Sequence, residues 1–136
     1  HLVFLMYDLD KFKRINDTLG HPYGDYVIRT TAKIIKDNVR SIDLVARYGG
    51  EEFAVVLVNT STEAAMTVAQ RIVDNIADYN FQLEAKEVKM TISSGLSEYP
   101  NDSDKLNDLV EYADQGLYKT KENGGNGVTI YQSMIS

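Results

Sequence analysis

The sequence predicts an α+β fold of the ferredoxin-like kind, with a central sheet of about five strands and helices packed on the sheet. Two observations support this fold class. Apolar runs of strand length alternate with segments in which apolar residues recur every three or four positions. In chain order these segments give β-α-α-β-β-α-β-α-β, with one antiparallel hairpin in a sheet whose other connections pass through helices.

The composition is that of an ordinary globular domain. The chain has 136 residues, of which 43% are hydrophobic and 25% are charged, and this is enough for one core. No apolar run approaches the ~20 residues of a membrane span, and the absence of cysteine excludes disulfides and thiolate metal sites. A net charge of −6 argues against a nucleic acid polymer as partner. We expect a cytoplasmic domain without membrane contact of its own, whether or not its parent protein is membrane-anchored.

The first half of the chain is predicted to form a buried strand, two helices and a hairpin. Residues 2–7 are continuously apolar, as in a central strand covered on both faces. Two glycines join the hairpin strands, because glycine reaches positive φ without steric cost. The predicted elements are a strand at 2–7, a helix at 12–19, a turn at 21–25, a helix from about 25 to 38, and strands at 44–48 and 52–58.

The second half is predicted to add two helices and two strands to the same sheet. Residues 60–63 read TSTE, a capping-box pattern that predicts a helix start. Residues 88–96 alternate between apolar and polar, which predicts a strand with one buried face. The remaining predictions are a small surface hairpin at 81–89, a helix from 106 to about 123, and a strand at 128–131.

Carboxylates follow two of the predicted strands. Asp8 and Asp10 end the first strand, and Glu51 and Glu52 follow the glycine turn. Asp10 also suits a helix cap, and a Gly-Gly-Glu-Glu turn alone also suits a solvated hairpin tip. If these strands are neighbours, the carboxylates of Asp8, Glu51 and Glu52 converge and require a cation. Oxygen ligands without His or Cys favour Mg²⁺ or Mn²⁺. The residues therefore predict a metal-dependent phosphoryl or nucleotidyl transfer site.

Four motifs together resemble the GGDEF family of diguanylate cyclases. They are DLDKFKRIND from Asp8, GHPYGD from Gly20, RYGGEEF from Arg47 and ADQGLYKTK from Ala113. A GGEEF string alone would be weak, but the set has the family's order and spacing over nearly the whole chain. The resemblance implies a palm-like, nucleotide-cyclase-like fold. It also implies condensation of two GTP into cyclic di-GMP and two pyrophosphates, by metal-assisted attack of the 3′-hydroxyl on the α-phosphate across a homodimer of domains.

The resemblance also implies roles for individual residues. Asp8, Glu51 and the Leu9 carbonyl are the expected metal ligands, and Asp8, Glu51 and Glu52 the expected catalytic group. A buried Asp25 would read guanine with Asn16 and would be left unpaired by adenine, although Asp25 also suits a helix N-cap. Gly20 and Gly24 are expected to let the backbone approach the nucleotide. The expected GTP contacts are Phe12, Lys13, Asn16, Asp25, Gly50 and Lys121.

A second site is expected upstream of the glycine turn. Arg40 and Asp43 match the family's motif for inhibition by the product cyclic di-GMP, and Arg71 is a further candidate there. Arginine suits this task because its planar fork binds phosphate or a guanine edge in a bidentate manner. For an isolated R-x-x-D the plain alternative is a surface ion pair.

Two departures from the family pattern leave other functions open. Gly125 stands where the family usually has arginine, so one phosphate contact is expected to be missing. The chain also begins at the first strand, without the family's preceding helix. We therefore expect a single domain over 1–136, truncated at its N-terminus and excised from a larger signalling protein. The alternatives are a non-catalytic module that binds GTP or cyclic di-GMP, and a different ferredoxin-like nucleotidyl transferase.

Overall fold

A computed structural model describes residues 1–135 as seven strands and five helices. In chain order they are β1 Leu2–Leu9, α1 Phe12–Leu19, α2 His21–Asp37, β2 Leu44–Arg47, β3 Glu52–Val58, α3 Thr62–Asp78, β4 Phe81–Leu83, β5 Lys86–Val88, β6 Ile92–Tyr99, α4 Leu106–Glu122, β7 Gly127–Ile130 and α5 Tyr131–Ile135. The predicted order is confirmed, including the small hairpin, which is β4–β5. The short α5 was not predicted.

Five strands form one sheet in the order β2-β3-β1-β6-β7. The pairs β2–β3, β3–β1 and β1–β6 are antiparallel, and β6–β7 is parallel. The prediction of a ferredoxin-like α+β sheet with a hairpin is confirmed. Because β1 is the central strand, its C-terminal end lies between β3 and β6.

Helices cover both faces of the sheet. Val3, Leu5, Tyr7 and Leu9 of β1 belong to a large core cluster with residues of α2 and α3. Phe4 and Met6 of the same strand point the other way and pack with Leu109, Ala113 and Leu117 of α4. This alternation of adjacent side chains explains why the β1 sequence is continuously apolar.

The contact between α4 and the sheet depends on two glycines. A Cβ atom at Gly95 of β6 would overlap the backbone of Ala113 and Leu117 in α4 and would lie 2.8 Å from the carbonyl carbon of Gly116. A Cβ atom at Gly116 would lie 2.7 Å from the carbonyl oxygen of Thr129 in β7. The helix therefore rests directly on the strand backbone, and this fixes the position of its C-terminal end.

Two predictions about where helices begin were wrong. Residues 21–25 are the start of α2 and not a turn, because Gly20, with φ of +93°, reverses the chain and Pro22 is tolerated in the first helical turn. Ser61, not Thr60, caps α3 and accepts a hydrogen bond from the Ala64 N–H at 3.1 Å. The Thr60 hydroxyl instead donates to the Val58 carbonyl at 2.8 Å.

The strand predicted at 88–96 lies at Ile92–Tyr99 and is buried on both faces through residue 98. Ser93 and Ser97 misled the prediction because their hydroxyl groups find acceptors inside the protein. Ser93 donates to Asp10, and Ser97 donates to the Leu109 carbonyl at 2.7 Å. Hydrogen-bonded hydroxyl groups are buried at little cost.

None of the helices within residues 1–135 has the combination of length and apolar character that a membrane-crossing segment needs.

Candidate active site

The predicted meeting of the two acidic segments is confirmed. Asp8 and Glu52 are direct Cα partners in the antiparallel β1–β3 pair. The Leu9 N–H donates to the Glu51 carbonyl at 3.3 Å, so the pairing continues into the turn. Asp8 and Glu52 therefore lie side by side at one edge of the sheet, with Glu51 in the adjoining turn.

The turn itself is held by main-chain and arginine contacts. The Glu52 carbonyl accepts the Tyr48 N–H at 2.8 Å, which closes the loop. The Arg47 guanidinium donates to the Gly49 carbonyl at 3.2 Å and to the Gly50 carbonyl at 2.7 and 3.1 Å. A Cβ atom at Gly50 would meet nothing within 4 Å, so there is open space above the tip of the turn.

Lys121, at the C-terminal end of α4, reaches the acidic end of β1. Its Nζ lies 3.1 Å from Asp8 Oδ1, 3.0 Å from Asp10 Oδ1 and 3.3 Å from the Leu9 carbonyl oxygen. Two of these three oxygen atoms belong to the predicted metal ligands Asp8 and Leu9. The predicted phosphate-binding lysine is thus in direct contact with the predicted metal site.

Asp10 is a structural anchor and does not cap α1. Its carboxylate accepts hydrogen bonds from the hydroxyl groups of Thr91 at 2.7 Å and Ser93 at 2.6 Å, and from the Asn126 N–H at 2.9 Å. Burial opposes ionisation, but these bonds and the Lys121 ammonium lower the pKa of Asp10. The α1 N-cap position is Lys11, in left-handed conformation, and it makes no side-chain cap.

Carboxylates around Asp8 repel one another. Burial, followed by the charges of Asp8, Asp114 and Glu51, raises the pKa of Glu52. Burial also raises the pKa of Asp8, although Lys121 counteracts this. Asp114 of α4 has a raised pKa for the same two reasons, partial desolvation and the nearby Asp8. The prediction included Asp114 in a family motif but gave it no role.

The two acidic segments meet as expected, but within residues 1–135 their side chains do not form a ready-made metal cluster. Across residues 1–135, no three His, Asp or Glu side chains are grouped closely enough to hold one metal ion. The reason lies in the side chains of the turn and of α4. Glu52 folds back over Gly49, where a Cβ atom would lie 2.6 Å from Glu52 Oε1, while Lys121 faces the carboxylate of Asp8.

The donor set nevertheless fits a hard divalent cation. Asp8 Oδ1 and the Leu9 carbonyl oxygen already bind a positive charge, the Lys121 ammonium. Glu51, partly exposed in the adjoining turn, supplies a further carboxylate. Carboxylate and carbonyl oxygens are the ligands that Mg²⁺ and Mn²⁺ prefer.

The predicted guanine-reading residues lie where α1 and α2 meet. Asn16 and Phe12 of α1 pack against Gly24 of α2, where a Cβ atom would lie 3.2 Å from Phe12 Cζ. The Asn16 amide pairs with the His21 ring nitrogen at 3.0 Å. Asp25, next to Gly24, lies inside α2 and is exposed, so both the expected burial and the N-cap alternative are wrong for Asp25.

The other expected phosphate contacts have different surroundings. Lys13 is exposed on α1. Gly125 has φ of +75°, and a Cβ atom there would lie 2.7 Å from Asp10 Oδ2. The Asp10 carboxylate therefore fills the space into which an arginine side chain would begin. A cavity of 460 Å³ opens beside Asp10, lined also by Lys11, Arg14 and Lys89, which the sequence did not single out.

A second groove contains the predicted inhibitory residues. Its volume is 540 Å³, and Arg40, Asp43 and Arg71 all line it. The Arg40 guanidinium donates to Asp43 Oδ1 and to the Thr60 hydroxyl, each at 2.9 Å. Arg71 donates to the Asn38 side-chain oxygen at 2.9 Å and to its carbonyl at 2.7 Å. Asn38, the residue after α2, also lines the groove, and the sequence analysis did not predict a role for it there.

Asp43 is the buried and most firmly held of the charged residues in this second groove. It is 8% exposed, and its carboxylate accepts hydrogen bonds from the Val58 N–H at 3.1 Å and the Arg40 N–H at 2.9 Å. Burial opposes ionisation, yet these bonds and the Arg40 guanidinium lower the pKa of Asp43. The charged pair therefore holds the segment between α2 and β2 to the end of β3.

Comparison with protein families decides the relationship. The family model described as "Diguanylate cyclase, GGDEF domain" matches residues 1–127. The chain belongs to the GGDEF family. Diguanylate cyclase A of Treponema denticola is 49% identical over 134 residues, 98% of this chain and 36% of that protein. Response regulator PleD of Caulobacter vibrioides is 40% identical over 91% of this chain and 28% of its own length. The GGDEF chain thus spans about a third of these relatives.

Solved GGDEF domains share the fold. The GGDEF domain of PA1120 from Pseudomonas aeruginosa has a TM-score of 0.91 at 34% identity, over 95% of this chain and 81% of that one. The GGDEF domain of DgcB from Caulobacter crescentus, in complex with c-di-GMP, has a TM-score of 0.87 at 31% identity, over 96% and 78%. The palm-like fold expected from the motifs is confirmed.

The repulsion at this GGDEF site predicts a pH effect on stability. A carboxyl group whose pKa is raised on folding binds a proton more tightly in the folded state than in the unfolded state. Its contribution to the free energy of unfolding therefore falls as the pH rises above 3.8, the ordinary pKa of an aspartate. We expect Asp114→Asn to be more stable than the wild type at pH 7, by about 0.5 kcal/mol because solvent screens the repulsion. Urea unfolding at pH 7 and at pH 3 measures the free energy of unfolding of both proteins. At pH 3 the difference between the variant and the wild type should disappear. A variant that is less stable at pH 7 would contradict the repulsion.

Proposed function

We propose that this GGDEF domain is a diguanylate cyclase, which condenses two GTP into cyclic di-GMP and two pyrophosphates. The observation that carries the proposal is the oxygen set at the end of β1, where Asp8 Oδ1 and the Leu9 carbonyl bind a cationic group beside the Glu51–Glu52 turn. Family membership supports the same reaction. The proposed compartment is the cytoplasm.

In the proposed reaction, the 3′-oxygen of one GTP attacks the α-phosphorus of the other, and the bond to the pyrophosphate leaving group breaks. Asp8, Glu51 and the Leu9 carbonyl would hold Mg²⁺ or Mn²⁺. When bound, such an ion activates the hydroxyl and neutralises charge on the phosphates. Glu52 is the proposed acceptor of the 3′-hydroxyl proton, and its raised pKa brings it closer to neutral pH than an ordinary glutamate.

Guanine recognition is assigned to Asn16 and Asp25. A carboxylate accepts both the N1–H and the N2–H of guanine, and adenine lacks this donor pair. Asp25 is exposed in the free domain, so it is hydrated there and becomes selective only when the base covers it. Phe12, Lys13, Gly50 and Lys121 complete the proposed GTP contacts.

Catalysis is proposed to require a second copy of the domain. Each domain binds one GTP, and each 3′-hydroxyl must reach the α-phosphate of the opposite nucleotide. A single domain supplies half of this arrangement. Activity should therefore depend on dimerisation, transient or enforced by a neighbouring segment.

One observation favours a non-catalytic binding module as the second candidate. Gly125 has no side chain where the family usually has arginine, so one contact to the phosphates is expected to be missing. Such a module would bind GTP or cyclic di-GMP without turnover. The other proposed site residues are the same in both cases.

A product assay separates the two functions. The chain, fused to a dimeric coiled coil, is incubated with Mg²⁺ and either GTP or ATP, and products are identified by mass spectrometry. A cyclase forms cyclic di-GMP from GTP and no cyclic dinucleotide from ATP. Bound but unconverted GTP would instead support the binding module.

The groove around Arg40, Asp43 and Arg71 is the proposed site of inhibition by cyclic di-GMP. We expect Arg40→Ala to raise the concentration of added cyclic di-GMP that halves activity by about tenfold, because a bidentate contact to phosphate or guanine is lost. Inhibition curves for the dimeric fusion measure this shift. Arg29→Ala is the matched control, since Arg29 is exposed on α2. An unchanged inhibition curve for Arg40→Ala would show that the groove is not the site of inhibition by cyclic di-GMP.

A further inference from the structure

The Lys121 ammonium lies where a metal ion of the proposed cyclase would need to bind. Its Nζ is within 3.3 Å of the Leu9 carbonyl oxygen and within 3.1 Å of Asp8 Oδ1. A divalent cation held by the same two oxygen atoms would sit at about 2.0–2.1 Å from each. The ammonium and the ion would compete for this position, because both are positive and both bind the same two oxygen atoms.

The two aspartates around Lys121 differ in how firmly they are held. Asp10 has three donors besides Lys121, namely Thr91, Ser93 and the Asn126 N–H. Asp8 has Lys121 as its ion-pair partner, and its side chain is 18% exposed. Loss of Lys121 would therefore leave Asp10 in place, while the Asp8 carboxylate would become available to another cation.

Lys121 is also able to leave. Its side chain is 33% exposed and sits in the last turn of α4. The ammonium is on a flexible four-carbon stem, so it moves without displacing the helix backbone. The backbone of α4 itself is fixed by the Gly95–Gly116 contact with the sheet.

We propose that Lys121 is a built-in competitor of the metal ion for Asp8 Oδ1 and the Leu9 carbonyl, so that metal binding requires displacement of its ammonium. The proposal rests on the metal site of the proposed function. It gives Lys121 two successive partners, the β1 oxygens in the free domain and the phosphates once nucleotide and metal have bound. The free domain then binds metal weakly, and the incoming triphosphate provides the displaced ammonium with a new anionic partner.

Mn²⁺ binding to the nucleotide-free chain tests this competition, with the electron paramagnetic resonance signal of free Mn²⁺ as the readout. Lys121→Met removes the charge and keeps most of the side-chain volume. We expect it to bind Mn²⁺ at least tenfold more tightly than the wild type. Lys119→Met is the matched control, because it makes the same charge change at an exposed position of the same helix, and it should stay within about twofold of the wild type.

Two further variants keep the test decisive. Lys121→Ala should tighten Mn²⁺ binding as Lys121→Met does, and circular dichroism shows whether each variant is folded. Adding Asp8→Asn to Lys121→Met should remove the gain, which locates the ion at Asp8. Folded Lys121 variants that bind Mn²⁺ no more tightly than Lys119→Met would overturn the competition. If the wild-type dimeric fusion still formed cyclic di-GMP, the proposed function would stand without it.

Discussion

Glu51→Gln is expected to lower cyclic di-GMP formation by about a thousandfold or more, because it removes one carboxylate of the proposed metal site. Glutamine keeps the size of the side chain, and Glu51 is partly exposed in the turn, so the fold should be unaffected. The loss should appear in turnover at saturating GTP, since the guanine contacts of Asn16 and Asp25 remain. Initial rates of the dimeric fusion, measured by chromatography, give the ratio.

Glu63→Gln is the matched control for this experiment. Glu63 is exposed in the first turn of α3, away from the sheet edge that carries Asp8. It loses the same charge and should keep the activity of the wild type. A Glu51→Gln enzyme with more than a tenth of wild-type turnover would show that Glu51 does not support the reacting phosphate.

Gly95→Ala is expected to lower the free energy of unfolding by about 3 kcal/mol, the upper part of the usual range for overpacking. The added Cβ atom would overlap the backbone of Ala113 and Leu117. Helix backbone cannot change rotamer to make room, so α4 has to move off the sheet. Urea unfolding followed by circular dichroism measures the change.

This prediction also concerns the active site, because α4 carries Lys121 and Asp114. A shift of the helix should weaken the contacts of Lys121 with the end of β1. The control is Gly127→Ala, where the nearest atom outside the neighbouring residues is Thr120 Cγ2 at 3.7 Å. That substitution should change stability by no more than about 0.5 kcal/mol. Equal effects of the two substitutions would mean that Gly95 is not a close contact.

The sequence was sufficient to predict the sheet and its acidic edge. The apolar run of β1 and the glycine turn have local signals, and Asp8 and Glu52 become partners once β1 and β3 pair. The second buried face of β6 was missed because Ser93 and Ser97 look like surface residues. Their burial depends on acceptors elsewhere in the fold, Asp10 and the Leu109 carbonyl, and alternation of polarity carries no information about such partners.

The ion pair between Lys121 and Asp10 could not be predicted from neighbouring residues in the sequence. Lys121 and Asp10 are 111 residues apart, and their contact depends on how α4 lies on the sheet. A lysine in a phosphate-binding motif gives no indication that it binds carboxylates in the free domain. Likewise, the sequence identified Gly125 as a missing arginine, but it gave no indication that the Asp10 carboxylate lies beside this position.

The most direct test of the proposed activity is the product ratio of one reaction. The dimeric fusion is supplied with GTP and Mg²⁺, and pyrophosphate and cyclic di-GMP are quantified in the same samples over time. Two attacks by 3′-hydroxyls on α-phosphates predict two pyrophosphates for each cyclic di-GMP, with neither product formed by Glu51→Gln. GTP that binds and is recovered unchanged, or pyrophosphate released without cyclic di-GMP, would contradict a diguanylate cyclase.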